Sequence, residues 1–203
     1  MTPPTAIIFD IGRVLYRWDP RFLYERHLSG EALDSFLRDV VTPEWHFQHD
    51  AGRDFADTSA ELMALHPQHA ELIAAWAPSF LDTIPGPVDG MPALVDELHA
   101  RDVPLYALTN FSHEFWPPFR ARETTMFDRF RDILVSGEEK LVKPDPAIYA
   151  RALDRFGLVA AETVFIDDNE ANVVAAAGVG LIALHFADEP TLRCELAALG
   201  LLG

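Results

Sequence analysis

The chain has almost no cysteine, so its stability must come from its own packing. Cys194 is the single cysteine among 203 residues and has no partner for a disulfide within the chain. This excludes a disulfide framework and favours a reducing compartment, so we predict a cytoplasmic protein. A chain of this length buries about 70% of the surface that its unfolded form exposes, which is enough to fold without a cross-link.

Long hydrophobic runs are missing as well. The longest apolar stretch covers residues 173–184, and Gly178 and Gly180 interrupt it. A helix needs about 20 apolar residues to cross a bilayer, and the first residues lack the basic and apolar regions of a signal peptide. We therefore expect neither a membrane span nor a signal peptide.

Basic residues are scarce relative to acidic ones. The chain has 16 Lys and Arg against 32 Asp and Glu, a formal net charge of −16 at pH 7. Such a charge repels phosphate backbones and acidic lipids, so we predict no nucleic-acid or membrane partner. A small anionic substrate is compatible with it, because a bound cation can reverse the field inside one pocket. The pattern is compatible with a monomer or a homodimer.

What the chain does contain is an alternation of strand and helix patterns. Short apolar runs rich in branched residues predict buried strands at 6–9, 103–108, 133–135, 163–166 and 181–184. Helical spacing predicts helices at 91–101, 146–156, 170–177 and 189–199. This alternation predicts an α/β fold with a doubly wound parallel sheet and right-handed crossovers.

The segment 17–86 departs from that alternation. It has no convincing strand and shows helical spacing at 21–28, 31–41, 58–65 and 68–81. Pro85-Gly-Pro87 then predicts the turn that returns the chain to the sheet. We therefore predict a core of residues 1–16 and 87–203, with an α-helical insertion over 17–86.

Polar residues follow directly after several predicted strands, at the sheet edge where parallel α/β proteins bind ligands. Asp10 follows the first strand, Thr109 and Asn110 the second, and Asp167 and Asp168 the fourth. Three carboxylates at one edge repel each other unless a cation lies between them, and oxygen ligands with open positions suit Mg²⁺. The sequence therefore predicts a magnesium site here.

The same edge offers a nucleophile and phosphate contacts. The chain has no G-x-S-x-G elbow, P-loop or G-x-G-x-x-G, so the Asp10 carboxylate is the best candidate nucleophile. Lys143 supplies a positive charge for a phosphoryl oxygen, and the Thr109 hydroxyl can donate to another.

Four segments resemble, in order, the motifs of the haloacid dehalogenase-like hydrolase superfamily. They are Phe9-Asp-Ile-Gly-Arg-Val-Leu15, Leu108-Thr-Asn110, Lys143-Pro-Asp-Pro and Phe165-Ile-Asp-Asp-Asn169. The resemblance spans nearly the whole chain and implies a Rossmann-like core with a helical cap inserted after the first motif. It also implies a phosphatase that forms an aspartyl-phosphate.

The resemblance carries roles to individual residues. It implies Asp10 as nucleophile, Thr109 and Lys143 as phosphate ligands, and Asp168 as a direct Mg²⁺ ligand. Asp167 would support the metal, and Asn172 would orient the acidic pair.

Gly12 is the main departure from the superfamily pattern. Most phosphatases of the superfamily have a second aspartate there, which protonates the leaving oxygen. Gly12 offers only its backbone carbonyl to the metal and transfers no proton, and general acid help is worth about 10²–10⁴-fold. Another donor or a good leaving group must therefore compensate.

Glycine also occupies this position in a branch of enzymes similar to α-D-glucose-1-phosphate phosphatases, and this chain resembles that branch. The segments Thr109-Asn-Phe-Ser-His-Glu-Phe-Trp-Pro117 and Phe47-Gln-His-Asp-Ala-Gly52 share that resemblance. It implies a sugar phosphate as substrate, with Asn110 and His113 among the substrate-binding residues. His113 and His49 are candidates for the substitute donor, and surface or capping roles are the competing interpretation of both.

Two other functions stay open at this stage. Gly12 permits a 2-haloacid dehalogenase, which needs no metal, although Asp167 and Asp168 would repel its carboxylate substrate. Gly12 also permits a catalytically weak domain kept for binding or regulation. A phosphonatase is disfavoured, because Lys140 and Lys143 lie in the third motif and neither lies in the insertion.

Overall fold

A computed structural model describes residues 3–203 and has a five-stranded parallel sheet at its centre. Its strands run in the order β5-β4-β1-β6-β7, and all neighbours are parallel. The bounds are β1 Ala6–Phe9, β4 Leu105–Thr109, β5 Asp132–Val135, β6 Thr163–Asp167 and β7 Ile182–His185. Each of the five predicted strands is present, within two residues of its expected ends, and the predicted α/β class is confirmed.

The sheet is buried on both faces, which explains why its strands read as continuous apolar runs. Alternate residues of β1 point to opposite cores: Ile7 and Phe9 join one hydrophobic cluster, and Ala6 and Ile8 join the other. The larger cluster continues without a break into the insertion, where it includes Trp76. The insertion and the sheet therefore share one hydrophobic core on that side.

The insertion leaves and rejoins the core through a two-stranded antiparallel ribbon, β2 (Tyr16–Arg17) and β3 (Gly86–Pro87). Between these strands the chain forms α1 Arg21–Tyr24, α2 Gly30–Asp39, α3 Pro43–Asp50, α4 Phe55–Leu65, α5 Ala70–Ala74 and α6 Trp76–Ser79. Two 3-10 turns flank the last two helices, at Pro67–His69 and Phe80–Thr83.

The insertion differs from the sequence prediction in three places. Helix α3 was not predicted, α1 ends at Tyr24 instead of near residue 28, and the single helix expected over 68–81 is several short pieces. Pro78 explains the last difference, because it has no amide hydrogen for the Ala74 carbonyl and so interrupts a continuous helix.

The core helices cover both faces of the sheet. They are α7 Met91–Ala100, α8 Trp116–Arg122, α9 Thr124–Phe127, α10 Ser136–Glu139, α11 Pro146–Phe156, α12 Glu170–Gly178 and α13 Glu189–Ala198. Helices α7, α11, α12 and α13 match the four predicted ones within a residue or two. Within the described residues, no helix is both long and apolar enough to cross a bilayer.

Candidate active site

The parallel strands bring four predicted site residues to one edge of the sheet. Asp10 follows β1, Asn110 follows β4, and Asp167 is the last residue of β6. The loop after α10 places Lys143 between the two aspartates, with Nζ 2.8 Å from Asp10 Oδ1 and 2.6 Å from Asp167 Oδ2. The Lys143 side chain is almost completely buried, so it is a charged group held by partners rather than by water.

Asp167 is completely buried, and both of its oxygens accept hydrogen bonds. Its Oδ1 accepts from the backbone N–H of Asn169 at 2.9 Å and from Asn172 Nδ2 at 3.0 Å. Its Oδ2 accepts from Lys143 Nζ at 2.6 Å and from Asn172 Nδ2 at 3.1 Å. These bonds offset the cost of burying the carboxylate, so Asp167 is a rigid anchor for Lys143.

Asn110 fixes the backbone of Lys143. Its Nδ2 donates to the Lys143 carbonyl at 3.0 Å, and its Oδ1 accepts from the Lys143 N–H at 2.9 Å. This reciprocal pair leaves little freedom for the lysine's position. Thr109, the last residue of β4, is buried and lies outside the wall of the cavity described below.

The acidic residues at this edge could hold a divalent cation. Asp10, Asp167 and Asp168 each offer a carboxylate oxygen, and these oxygens lie within 4.8 Å of one another. Burial raises the pKa of Asp10 to about 7 against the opposing effect of Lys143, and Asp167 and Asp168 add to the rise. Burial and Asp167 also raise the pKa of Asp168. Three carboxylates face one ammonium, so a hard cation with oxygen ligands fits the charge that remains.

A cavity of about 210 Å³ opens over this edge. On the sheet side it is lined by Asp10, Ile11, Gly12, Arg13, Asn110, Phe111, Lys143, Asp168, Asn169 and Asn172. On the other side it is lined by Tyr16, Trp18, His46, Asp50, Phe80, Ile84 and Phe119. We call the side chains of the second group that belong to the insertion, which are Trp18, His46, Asp50, Phe80 and Ile84, the insertion wall.

Two titratable residues lie in the insertion wall. Burial, together with Asp10, raises the pKa of Asp50 to about 8, against the effect of Lys143. Burial lowers the pKa of His46 to about 3, so its ring is neutral at pH 7. His46 stacks on Trp18, with ring centroids 4.9 Å apart, and its Nε2 lies 3.6 Å from Asp50 Oδ2.

The end of α3 is packed tightly against the core, and this sets the position of Asp50. The Ser136 hydroxyl donates to the Asp50 carbonyl at 2.6 Å and accepts from the Phe111 N–H at 2.9 Å. A Cβ on Gly52 would lie 2.9 Å from the Gly137 carbonyl oxygen, so the two backbones meet where only glycine fits.

The two histidines that the sequence offered as proton donors lie elsewhere. His113 is outside the cavity wall, with Nε2 3.3 Å from Asp54 Oδ1. His49 is completely buried, with Nε2 2.6 Å from the Thr58 hydroxyl oxygen. Sequence reasoning missed His46 and Asp50, although it singled out the segment 47–52 that contains Asp50; on a helix, His46 and Asp50 fall on one face.

Comparison with known proteins agrees with this architecture. The family model of haloacid dehalogenase-like hydrolases matches residues 4–180. The chain belongs to this family of hydrolases. The resemblance of the four sequence motifs to this superfamily is thereby confirmed.

Individual relatives fall into two kinds. The chain is 29% identical over 201 residues to a sesquiterpene phosphatase of Aspergillus oryzae, covering 96% of this chain and 95% of that one. A family enzyme of Bacteroides thetaiotaomicron, solved with magnesium and inorganic phosphate, has a TM-score of 0.68 at 20% identity, covering 91% and 95%. The L-2-haloacid dehalogenase of Xanthobacter autotrophicus has a TM-score of 0.66 at 17% identity, covering 96% and 83%. These two structures share the fold with this hydrolase, and the fold is common to a phosphate-binding enzyme and a dehalogenase.

Proposed function

We propose that this hydrolase is a Mg²⁺-dependent phosphatase acting on the monoester of a compact alcohol. The observation that carries the proposal is the arrangement of Asp10, Lys143, Asp167 and Asp168 around one end of the cavity. A nucleophile, a fixed ammonium and a cation-binding set of carboxylates are the groups that phosphoryl transfer requires. The phosphatase relative supports the same reaction.

Asp10 acts as the nucleophile in this proposal. Its Oδ1 accepts from the Ile11 N–H at 2.7 Å and pairs with Lys143, while Oδ2 accepts no hydrogen bond from residues 3–203. A carboxylate oxygen attacks phosphorus, the bond from phosphorus to the alcohol oxygen breaks, and that oxygen takes up a proton from solvent water. Water then attacks the phosphorus of the aspartyl-phosphate, which releases inorganic phosphate and restores the carboxylate.

Mg²⁺ would be held by Asp10, Asp168 and the carbonyl of Gly12, with Asp167 supporting the set. When bound, it supplies positive charge for the phosphoryl oxygens. Lys143 supplies a second positive charge for them, and Asn110 keeps that lysine in place through the paired amide bonds.

We also propose that residues 17–86 act as a cap on a core of 1–16 and 87–203. The insertion wall closes the cavity opposite the nucleophile, and such a cover excludes bulk water from the reaction. Specificity for the alcohol would then reside in the insertion, because the sheet edge serves the phosphate.

The test is phosphate release from a panel of monoesters, measured with Mg²⁺ and with excess EDTA. We expect metal-dependent release, with loss of at least about 10³-fold in the Asp10→Asn variant. Asp89→Asn, at an exposed position, is the matched control and should retain full activity.

Two outcomes would contradict the proposal. Halide release from 2-haloacids that EDTA leaves unchanged would make the protein a dehalogenase, despite the carboxylates that repel such substrates. Binding of Mg²⁺ with no turnover of any ester would make it a catalytically weak domain.

A further inference from the structure

Asp50 is a buried carboxyl group that lines the cavity. The residue is only 6% exposed, and its Oδ1 is buried without a hydrogen-bond partner within residues 3–203. Its nearest polar neighbour, His46 Nε2, is 3.6 Å from Oδ2, which is too long for a hydrogen bond. By contrast, Asp167 accepts four hydrogen bonds in the same cavity region.

His46, on the same helix, also has a buried polar atom without a hydrogen-bond partner among residues 3–203. Its Nδ1 is buried and has no hydrogen-bond partner within the described residues. More than 90% of buried polar groups in proteins have a partner. Five buried side-chain atoms of the described residues have none, and only those of Asp50 and His46 belong to residues that line the cavity. A ligand that enters the cavity is the explanation that their position supports.

The two side chains are held in place rather than left mobile. Ser136 ties the Asp50 backbone to the core, and the close contact of Gly52 with Gly137 fixes the end of α3. Trp18 stacks on the His46 ring. The pair is therefore preorganised, which is typical of a binding site.

The chemistry of the pair favours a hydroxyl group as its partner. A neutral imidazole nitrogen and a carboxyl oxygen both accept a hydrogen bond from a hydroxyl. A ring with six carbon atoms is a suitable carrier, since a cavity of about 150 Å³ holds benzene and this one measures about 210 Å³. The aromatic residues Trp18 and Phe80 beside the pair would contact the apolar faces of such a ring.

We propose that Asp50 and His46 form the subsite that binds a hydroxyl group on the alcohol part of the substrate, which makes the substrate the monoester of a polyhydroxy alcohol. This inference rests on the proposed phosphatase function and assigns the specificity of the same cavity. It gives the insertion wall a binding role and leaves the bond-breaking step to the sheet edge.

The test uses two substrates that differ by one hydroxyl, cyclohexyl phosphate and 2-hydroxycyclohexyl phosphate. We expect wild-type kcat/KM to favour the hydroxylated ester by about 10- to 100-fold, because the ester without the hydroxyl leaves buried polar atoms unpaired. Asp50→Ala should remove most of that preference by raising KM for the hydroxylated ester, with kcat nearly unchanged. His46→Phe, which keeps an aromatic ring against Trp18, should have a smaller effect in the same direction.

Activity on cyclohexyl phosphate is the internal control for folding and for the chemical step. If Asp50→Ala lowers turnover of both esters equally, Asp50 serves the reaction or the fold and the subsite is wrong. A wild-type enzyme that hydrolyses both esters with equal kcat/KM also overturns the subsite, while the phosphatase function stands. A preference for 2-aminoethyl over 2-hydroxyethyl phosphate would assign Asp50 to an ammonium group instead. If neither ester is hydrolysed while another monoester of the panel is, the subsite is wrong and the phosphatase function stands. If no monoester of the panel is hydrolysed, both proposals fail.

Discussion

The two sides of the cavity differ in how completely their polar side chains are hydrogen-bonded. At the sheet edge, Lys143, Asp167, Asn110 and Asn172 bond to one another until almost every polar atom has a partner. On the insertion wall, Asp50 is buried like Lys143, Asp167 and Asn172, yet its Oδ1 has no hydrogen-bond partner within residues 3–203.

The sheet edge has its hydrogen bonds made without a substrate, whereas the insertion wall has polar atoms that a substrate could satisfy. In the proposed function the sheet edge places a nucleophile and a positive charge, and a network with all its hydrogen bonds made holds them rigidly. In the proposed function the insertion wall distinguishes one alcohol from another. Unpaired polar atoms discriminate strongly there, because the wrong alcohol leaves them buried and unpaired. Three substitutions test this difference, and the one at the sheet edge should change the stability of the protein most.

Lys143→Met should break the sheet-edge network. It leaves the buried Asp10 and Asp167 carboxylates without their cation, and removing one member of a buried ion pair costs about 3–5 kcal/mol. Urea unfolding of the metal-free protein measures the change in the free energy of unfolding. Lys143→Met combined with Asp167→Asn should recover part of the loss, because one of the two carboxylates is then neutral. A single variant within about 1 kcal/mol of the wild type would show that the network is not a stabilising unit.

Gly137→Ala should disturb the junction that fixes the insertion wall. A Cβ there would lie 2.6 Å from the His113 backbone N and 2.8 Å from the Phe111 carbonyl oxygen, and backbone atoms cannot move aside cheaply. Overpacking of this kind costs about 1–3 kcal/mol. Gly178→Ala is the control: it meets nothing within 4 Å at the end of α12, so it should be neutral or slightly stabilising. Equal melting temperatures for the two variants would contradict the close contact.

His49→Phe should change how stability depends on pH, and its effect should be the smallest of the three. Burial and the nearby Arg53 lower the pKa of His49 to about 4, below the unfolded value of 6.5. The unfolded chain therefore binds a proton that the folded one does not between these values, and stability falls as the pH drops from about 6.5 to 4. His49→Phe should reduce the loss of melting temperature between pH 7 and pH 5, whereas the exposed substitution His27→Gln should leave it unchanged. An unchanged loss in His49→Phe would mean that other groups cause the acid sensitivity.

Much of the core could be predicted because its elements are determined locally. The strands at 6–9 and 163–166 are short apolar runs bounded by polar residues, and the structure has them at Ala6–Phe9 and Thr163–Asp167. Helix α11 was predicted with its observed ends, since Asp145 caps it and Gly157 adopts a left-handed conformation after it.

Other elements could not be predicted, because their residues do not show one apolar face. Helix α3 buries Trp45, His49 and Asp50, a mixture of aromatic, neutral-imidazole and acidic side chains with no helical stripe of apolar residues. Helix α8 has prolines in its first turn, which a helix accepts but which read as loop residues in the sequence.

The class of fold, the order of the strands along the chain and the acidic and basic residues at their ends can be inferred from the amino-acid sequence alone. These follow from local periodicity and from the rule that parallel strands bring their carboxyl ends to one edge. Tertiary packing, by contrast, is what places Asp50 and His46 in the cavity wall and leaves His113 and His49 outside it. Which side chains cross a cavity depends on how α3 packs against Ser136 and Gly137, residues that lie more than 80 positions further along the chain. Contacts at such separation leave no local pattern in the sequence.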